Sequence, residues 1–133
     1  MISRKLQKSD WSTIQQWWSN WPEWEAPPRD FLPDDGSSGL IIEKDNKPIV
    51  AGFIYLTNSK VALLEWVILD PKYRSEDRHD AINLLIEKSE KLIKDIGYKY
   101  MFTVTKHKGL INKHKKLGWK LDEKPSYELT KIL

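Results

Sequence analysis

The sequence predicts an α+β (α/β) fold: a mostly antiparallel, mixed sheet flanked by helices, in one domain over residues 1–133. Three observations carry that expectation. Strand-sized apolar runs follow one another across short turns between residues 40 and 69, which makes them antiparallel neighbours. A long amphipathic stretch, 76–96, then separates them from another strand-like run, which sets a helix within the order of strands. The chain has only 133 residues and no low-complexity linker or repeat, so one core is all it can build.

Taken in order, Ile2–Leu6 alternates enough for a first strand. Ser9 or Asp10 caps a helix whose Trp11, Ile14, Trp18 and Trp21 recur at spacings of three and four, ending near Pro22. The segment from Trp21 to Pro33 holds too many prolines for a helix and reads as an ordered, aromatic loop. Leu40–Lys44 and Ile49–Thr57 are joined by Asp45-Asn46-Lys47-Pro48, and Asn58-Ser59-Lys60 leads into Val61–Leu69. That third strand is almost continuously apolar and is expected at the centre, covered on both faces. The helix over 76–96 carries the stripe Ile82, Leu85, Ile86, Ser89, Ile93 and Ile96, with Gly97 as its stop. Tyr100–Thr105 is the next strand and Gly109–Leu117 a short helix closed by Gly118. Trp119–Leu121 and Ser126–Ile132 are expected to finish the sheet as a hairpin.

Composition narrows the chemistry. There is no cysteine, which removes disulfides, thiolate metal sites and cysteine nucleophiles. Three scattered histidines lack ligand spacing, so no metal is expected. No apolar run approaches a membrane span and no signal peptide opens the chain, so the expectation is a cytoplasmic protein without a membrane partner. Twenty-two basic residues face 19 acidic ones, a net +3. The basic run Lys106–Lys116 reads first as a solvated helix face, next as a contact for a phosphate-rich cofactor, and last as a nucleic-acid surface. A homodimer is compatible with all of this.

Several strings resemble the GNAT superfamily of acetyl-CoA-dependent N-acyltransferases. Val67-Ile68-Leu69-Asp70-Pro71-Lys72-Tyr73-Arg74 is similar to the family's strand end, V-x-P-x-Y-R. Lys115-Lys116-Leu117-Gly118-Trp119 resembles its E-K-L-G-F helix end, and Gly52-Phe53-Ile54 its glycine within a strand. The likeness covers residues 38–133 by motif and 1–37 by element order. More narrowly, the stretch from the tryptophan-rich segment to Leu64-Glu65-Trp66 resembles small GNAT-like proteins of bacteriophages. The resemblance implies that Val61–Leu69 splays from the parallel strand, and that backbone around Val67, Ile68 and Leu69 pairs with the pantetheine arm of acetyl-CoA. It further implies a pyrophosphate site at the loop after Arg74 and the start of the following helix. An amine acceptor then attacks the thioester from the opposite side.

The chain departs from the family at that loop. Relatives carry two glycines (or glycine and alanine) where Arg74-Ser75-Glu76-Asp77-Arg78-His79-Asp80-Ala81 places Asp77 and His79. Ser75 as N-cap with Glu76 and Asp77 in the first turn is an ordinary helix start. The alternative is that Arg74, Ser75, Arg78 and His79 bind the cofactor with side chains in place of glycine N–H groups. Glu65, the one carboxylate within the apolar strand, is a candidate general base, against the plainer reading of a polar patch or a lysine pair. His114 stands where the family places a tyrosine acid, and its place in the stripe of Leu110, Ile111 and Leu117 equally suits a packed histidine. His107 falls where relatives carry an asparagine near the pantetheine; Tyr73 and Tyr127 are further proton donors. Trp17, Trp18, Trp21, Trp24 and Phe31 fall where relatives shape the acceptor pocket, with Trp24 and Phe31 the best substrate contacts. Acidic Glu23, Glu25, Asp30, Asp34 and Asp35 nearby favour a cationic amine. Against the enzyme stands an inactive GNAT-fold module that engages a protein through its tryptophan-rich surface.

Overall fold

A computed structural model describes residues 1–133. It holds five strands, β1 (Ile2–Lys5), β2 (Gly39–Lys44), β3 (Lys47–Leu56), β4 (Val61–Leu69) and β5 (Tyr100–Phe102), and three α-helices, α1 (Trp11–Asn20), α2 (Arg78–Asp95) and α3 (Lys108–Lys116). The strands lie side by side in chain order, antiparallel except for the parallel pair β4–β5, which α2 connects. Asp45 and Asn46 turn β2 into β3 with positive φ at both positions, a tight hairpin suited to their short polar side chains.

α2 and α3 cover one face of the sheet and α1 the other. Ala81, Leu85, Ile86 and Ile93 of α2 pack on Leu40, Ile42, Ile49, Ile54 and Leu64. Ser89 lies within that stripe without cost because its hydroxyl donates to the Leu85 carbonyl at 2.7 Å. On the other face Ile14, Trp17 and Trp18 of α1 meet Ile41, Ala51, Phe53 and Ile68, with Trp18 stacked on Phe53 at 6.1 Å. The start of the chain is tied down by Arg4, which reaches Asp10 and Glu43, each at 2.8 Å.

Several boundaries and one whole element differ from expectation. The strand buried continuously is β3, from Ile49 to Ile54, whereas β4 is covered only in part. Its neighbour β5 is three residues long, so most of one edge of β4 has no strand beside it. Ile96 falls beyond α2 and is half-exposed. The hairpin of 119–121 and 126–132 does not form: residues 119–133 carry no strand, and Tyr127 and Leu129 are 88% and 90% exposed. Both faces already have their helices, so a further hairpin has no core to bury and too short an edge to pair with.

Candidate functional site

The site begins with a bulge. Ala51 faces Ile68 and Phe53 faces Glu65, so β4 fits Trp66 and Val67 opposite Gly52 alone. Trp66 takes φ +55°, a left-handed conformation a bulky residue adopts only when its surroundings hold it. Its indole donates to the Tyr55 hydroxyl at 3.0 Å, and its ring meets Phe31 edge-on at 5.8 Å. The Tyr55 hydroxyl in turn donates to the Phe31 carbonyl at 2.9 Å. A Cβ at Gly52 opposite would lie 3.0 Å from Leu64 Cδ1 and 3.1 Å from Leu85 Cδ2, so those side-chain ends would have to give by a few tenths of an ångström.

Beyond the bulge the sheet opens. The β4–β5 ladder ends at Leu63 and Phe102, and from there Glu65 spans the gap with its side chain. Its Oε1 accepts the Val104 N–H at 2.8 Å. Burial pushes this carboxyl up from 4.5 to about 7, against the opposing hydrogen bonds from Val104 and Thr103 and with the Glu128 carboxylate adding to the rise. Glu65 is therefore a carboxyl poised near neutrality at the floor of a splay, on the face that α1 and the aromatic loop cover.

That loop reaches the splay at both ends. Phe31, 47% exposed, stands over Trp66. Trp24, 38% exposed, packs on Trp21 at 4.7 Å and meets the His107 ring edge-on at 5.9 Å. Trp17 and Trp18 belong to the core. Val67, Ile68 and Leu69 line the end of β4 as expected, but only in part as a free edge: Ile68 is buried, and the Leu69 carbonyl accepts the Trp21 indole N–H at 2.8 Å.

The loop at 70–77 turns back on itself. Ser75 does not cap α2; that position is Asp77, whose backbone is already helical and whose side chain makes no capping bond. The Ser75 carbonyl instead accepts the Arg78 N–H, and the Glu76 carbonyl the His79 N–H, while the Glu76 and Asp77 N–H groups have no backbone partner. The Asp77 carboxylate is turned to Lys44 at 2.6 Å and Tyr73 at 2.7 Å; those two bonds, Lys44 first, hold it down at about 2. Glu76 and Asp80 keep exposed carboxylates at this helix end. Arg74 lies over the Trp21 ring at 5.9 Å, Arg78 donates to the Arg74 carbonyl at 2.9 Å, and His79 lies 3.1 Å from Lys113 of α3. The residues thus fit a phosphate group in part: two backbone N–H donors, a long helix dipole and two guanidinium groups, without glycine's room for close approach.

His114 and His107 sit differently from one another. His114 is buried, its Nδ1 2.8 Å from the Leu110 carbonyl. A carbonyl only accepts, so Nδ1 carries the proton and Nε2 is a bare, buried lone pair without a partner. Burial lowers its pKa, and Trp119 closes over it at 4.6 Å. His107 caps α3 by accepting the Leu110 N–H on Nδ1, which places its own proton on Nε2, beside Trp24. Tyr73 is committed to Asp77, and Tyr127 is nearly fully exposed on the C-terminal segment. Tyr55 and Trp66 escaped the sequence reading as site residues, and Trp21 entered it only for the acceptor pocket; the one available signal for the bulge was Gly52 inside a strand.

No family model and no curated protein matches the sequence. Solved structures do match in shape. A probable acetyltransferase superposes with a TM-score of 0.74 at 14% identity, over 99% of each chain. The ribosomal-protein-S18-alanine N-acetyltransferase of Escherichia coli gives 0.70 at 14% identity, over 88% of this chain and 76% of its own. AAC(6')-Iy, in complex with the bisubstrate analogue CoA-S-monomethyl-acetylneamine, gives 0.65 at 18% identity, over 98% of each. The chain has the GNAT fold. At such identities the likeness is one of fold, and the narrower resemblance to phage proteins has no counterpart among these three structures. No helix is long and apolar enough to cross a membrane, and no cluster of His, Asp or Glu has metal-binding geometry.

Proposed function

We propose that this protein is an N-acyltransferase that moves an acetyl or other acyl group from a CoA thioester to an amine by direct attack. The observation that carries the reading is Glu65: a carboxyl near neutral pKa, anchored by Val104 N–H across the point where β4 and β5 part. A base must be able to hold a proton and release it near working pH, which an exposed glutamate cannot do. In the proposed step the amine nitrogen attacks the thioester carbonyl, a C–N bond forms and the C–S bond breaks. Glu65 takes the ammonium proton, directly or through a water, and the thiolate leaves and takes a proton from solvent. Glu76 and Asp77 N–H groups, Arg74 and Arg78 hold the phosphates, and the free edge of β4 at Val67 and Leu69 pairs with the pantetheine amides. Phe31, Trp66 and Tyr55 wall the acceptor side, with Trp24 at its other end. His114 holds α3 in place: a proton donor would need both ring nitrogens protonated, and burial opposes that.

A second reading is favoured by a specific observation. The glycine-free loop keeps the Glu76 carboxylate beside the phosphate donors, which suits a GNAT-fold module that binds a protein through its exposed aromatic loop and no longer uses CoA. Calorimetric titration with acetyl-CoA and CoA separates the two. Saturable heat with a thermal shift supports the transferase. Neither effect at millimolar ligand removes it and leaves the binding module.

A further inference from the structure

We propose that Trp21 is a latch, occupying the edge of β4 that the acyl donor needs and releasing it only when the donor binds. The inference rests on the transferase reading and concerns the regulation of the same site. Asp70 N–H is bonded to the Ile49 carbonyl of β3, so the preceding residue, Leu69, turns its carbonyl to the opposite, open edge. That carbonyl is where a donor amide would pair, and the Trp21 indole N–H already holds it at 2.8 Å.

The indole is not there alone. Trp24 packs on Trp21 at 4.7 Å and meets His107, the cap of α3, at 5.9 Å, so a row of rings runs from the end of β4 to the start of α3. These two elements border the splay. A ring on that edge and a pantetheine chain on the same edge exclude one another. Arg74, one of the proposed phosphate contacts, is drawn onto the Trp21 ring at 5.9 Å, so a donor that recruits Arg74 also loosens the latch.

The fold supplies a hinge. Trp21 is the residue after α1, with extended backbone at φ −94° and ψ 113°, and Pro22 follows it. Residues 22–28 hold no helix or strand, so Trp21 and Trp24 can swing at the expense of the contacts Trp21 makes with the core of Trp17 and Trp18, which stay in place. The closed arrangement keeps the Leu69 carbonyl occupied, and its opening by the donor makes binding and release of that edge one event.

The test compares wild type with Trp21→Phe, which keeps a ring and removes the N–H. CoA and acetyl-CoA are titrated calorimetrically into both. The Trp21 indole N–H resonance of the wild type, identified by its absence from the variant spectrum, is followed in parallel. The latch predicts CoA binding to Trp21→Phe about three- to tenfold tighter, the worth of one hydrogen bond. It also predicts a Trp21 resonance that moves to a solvent-exposed position as wild type saturates. Equal affinity with an unmoved resonance overturns the latch and leaves the transferase reading intact. Weaker binding by Trp21→Phe makes Trp21 part of the donor platform and overturns the latch. Absence of CoA binding by both proteins overturns the transferase reading and the latch with it.

Discussion

Replacing Glu65 by glutamine removes a titrating group and preserves the geometry around it, since the amide oxygen can still accept Val104 N–H. The carboxyl sits at about 7 in the fold against 4.5 ordinarily. A raised carboxyl pKa means that the folded state binds the proton more tightly than the unfolded chain. Stability is therefore highest below pH 4.5, falls as pH rises from 4.5 to about 7, and is flat above. At about 1.4 kcal/mol per pH unit the full span is about 3 kcal/mol, which partial exposure and screening reduce to about 1–2 kcal/mol. Glu65→Gln should accordingly match wild type at pH 4 and melt about 3–6 °C higher at pH 8. Thermal unfolding followed by circular dichroism across that range measures the difference, in which all other titrating groups cancel. In the same range wild-type kcat/KM should rise through pH 7, and the variant should lose that rise together with about 10²–10⁴ in rate. A Tm difference independent of pH, or a variant less stable at pH 8, would refute the placement of Glu65 as a buried, poised carboxyl.

Four more outcomes follow. His114→Phe should keep kcat near the wild-type value, because the ring packs under Trp119; a loss of about 10² or more would instead assign it the departing proton. Arg74→Ala and Arg78→Ala should each weaken CoA binding by about tenfold in calorimetry and flatten its dependence on salt. Gly39→Ala should cost about 3 kcal/mol or more in urea denaturation, because its Cβ would fall 2.1 Å from the Gly52 carbonyl oxygen at φ +153°. Arg4→Met should cost about 2–3 kcal/mol near neutrality by stranding Asp10 and Glu43. Arg4 holds the Asp10 carboxyl below its ordinary value, so that loss should shrink as pH falls through the carboxylate range and Asp10 becomes protonated.

By itself the sequence determined the fold class, because the features that set it are local. The strand-sized apolar runs through 40–69, the helical stripe of 82–96 and the stops at Gly97 and Gly118 each need only neighbouring residues to be read. Glu65 was legible for the same reason: a lone carboxylate in an apolar strand is a signal without coordinates. Tertiary structure decided everything that depends on distant partners. Trp21 and Leu69 lie 48 residues apart and meet in one hydrogen bond. Asp77 was read as a first-turn residue standing where relatives carry glycine, yet Lys44, 33 residues away on β2, holds its carboxylate. The C-terminal alternation predicted a strand, but a strand needs an edge and a face to bury, and β5 ends too soon to offer them. Period and composition report what a segment can form; only packing decides which of its groups are already taken.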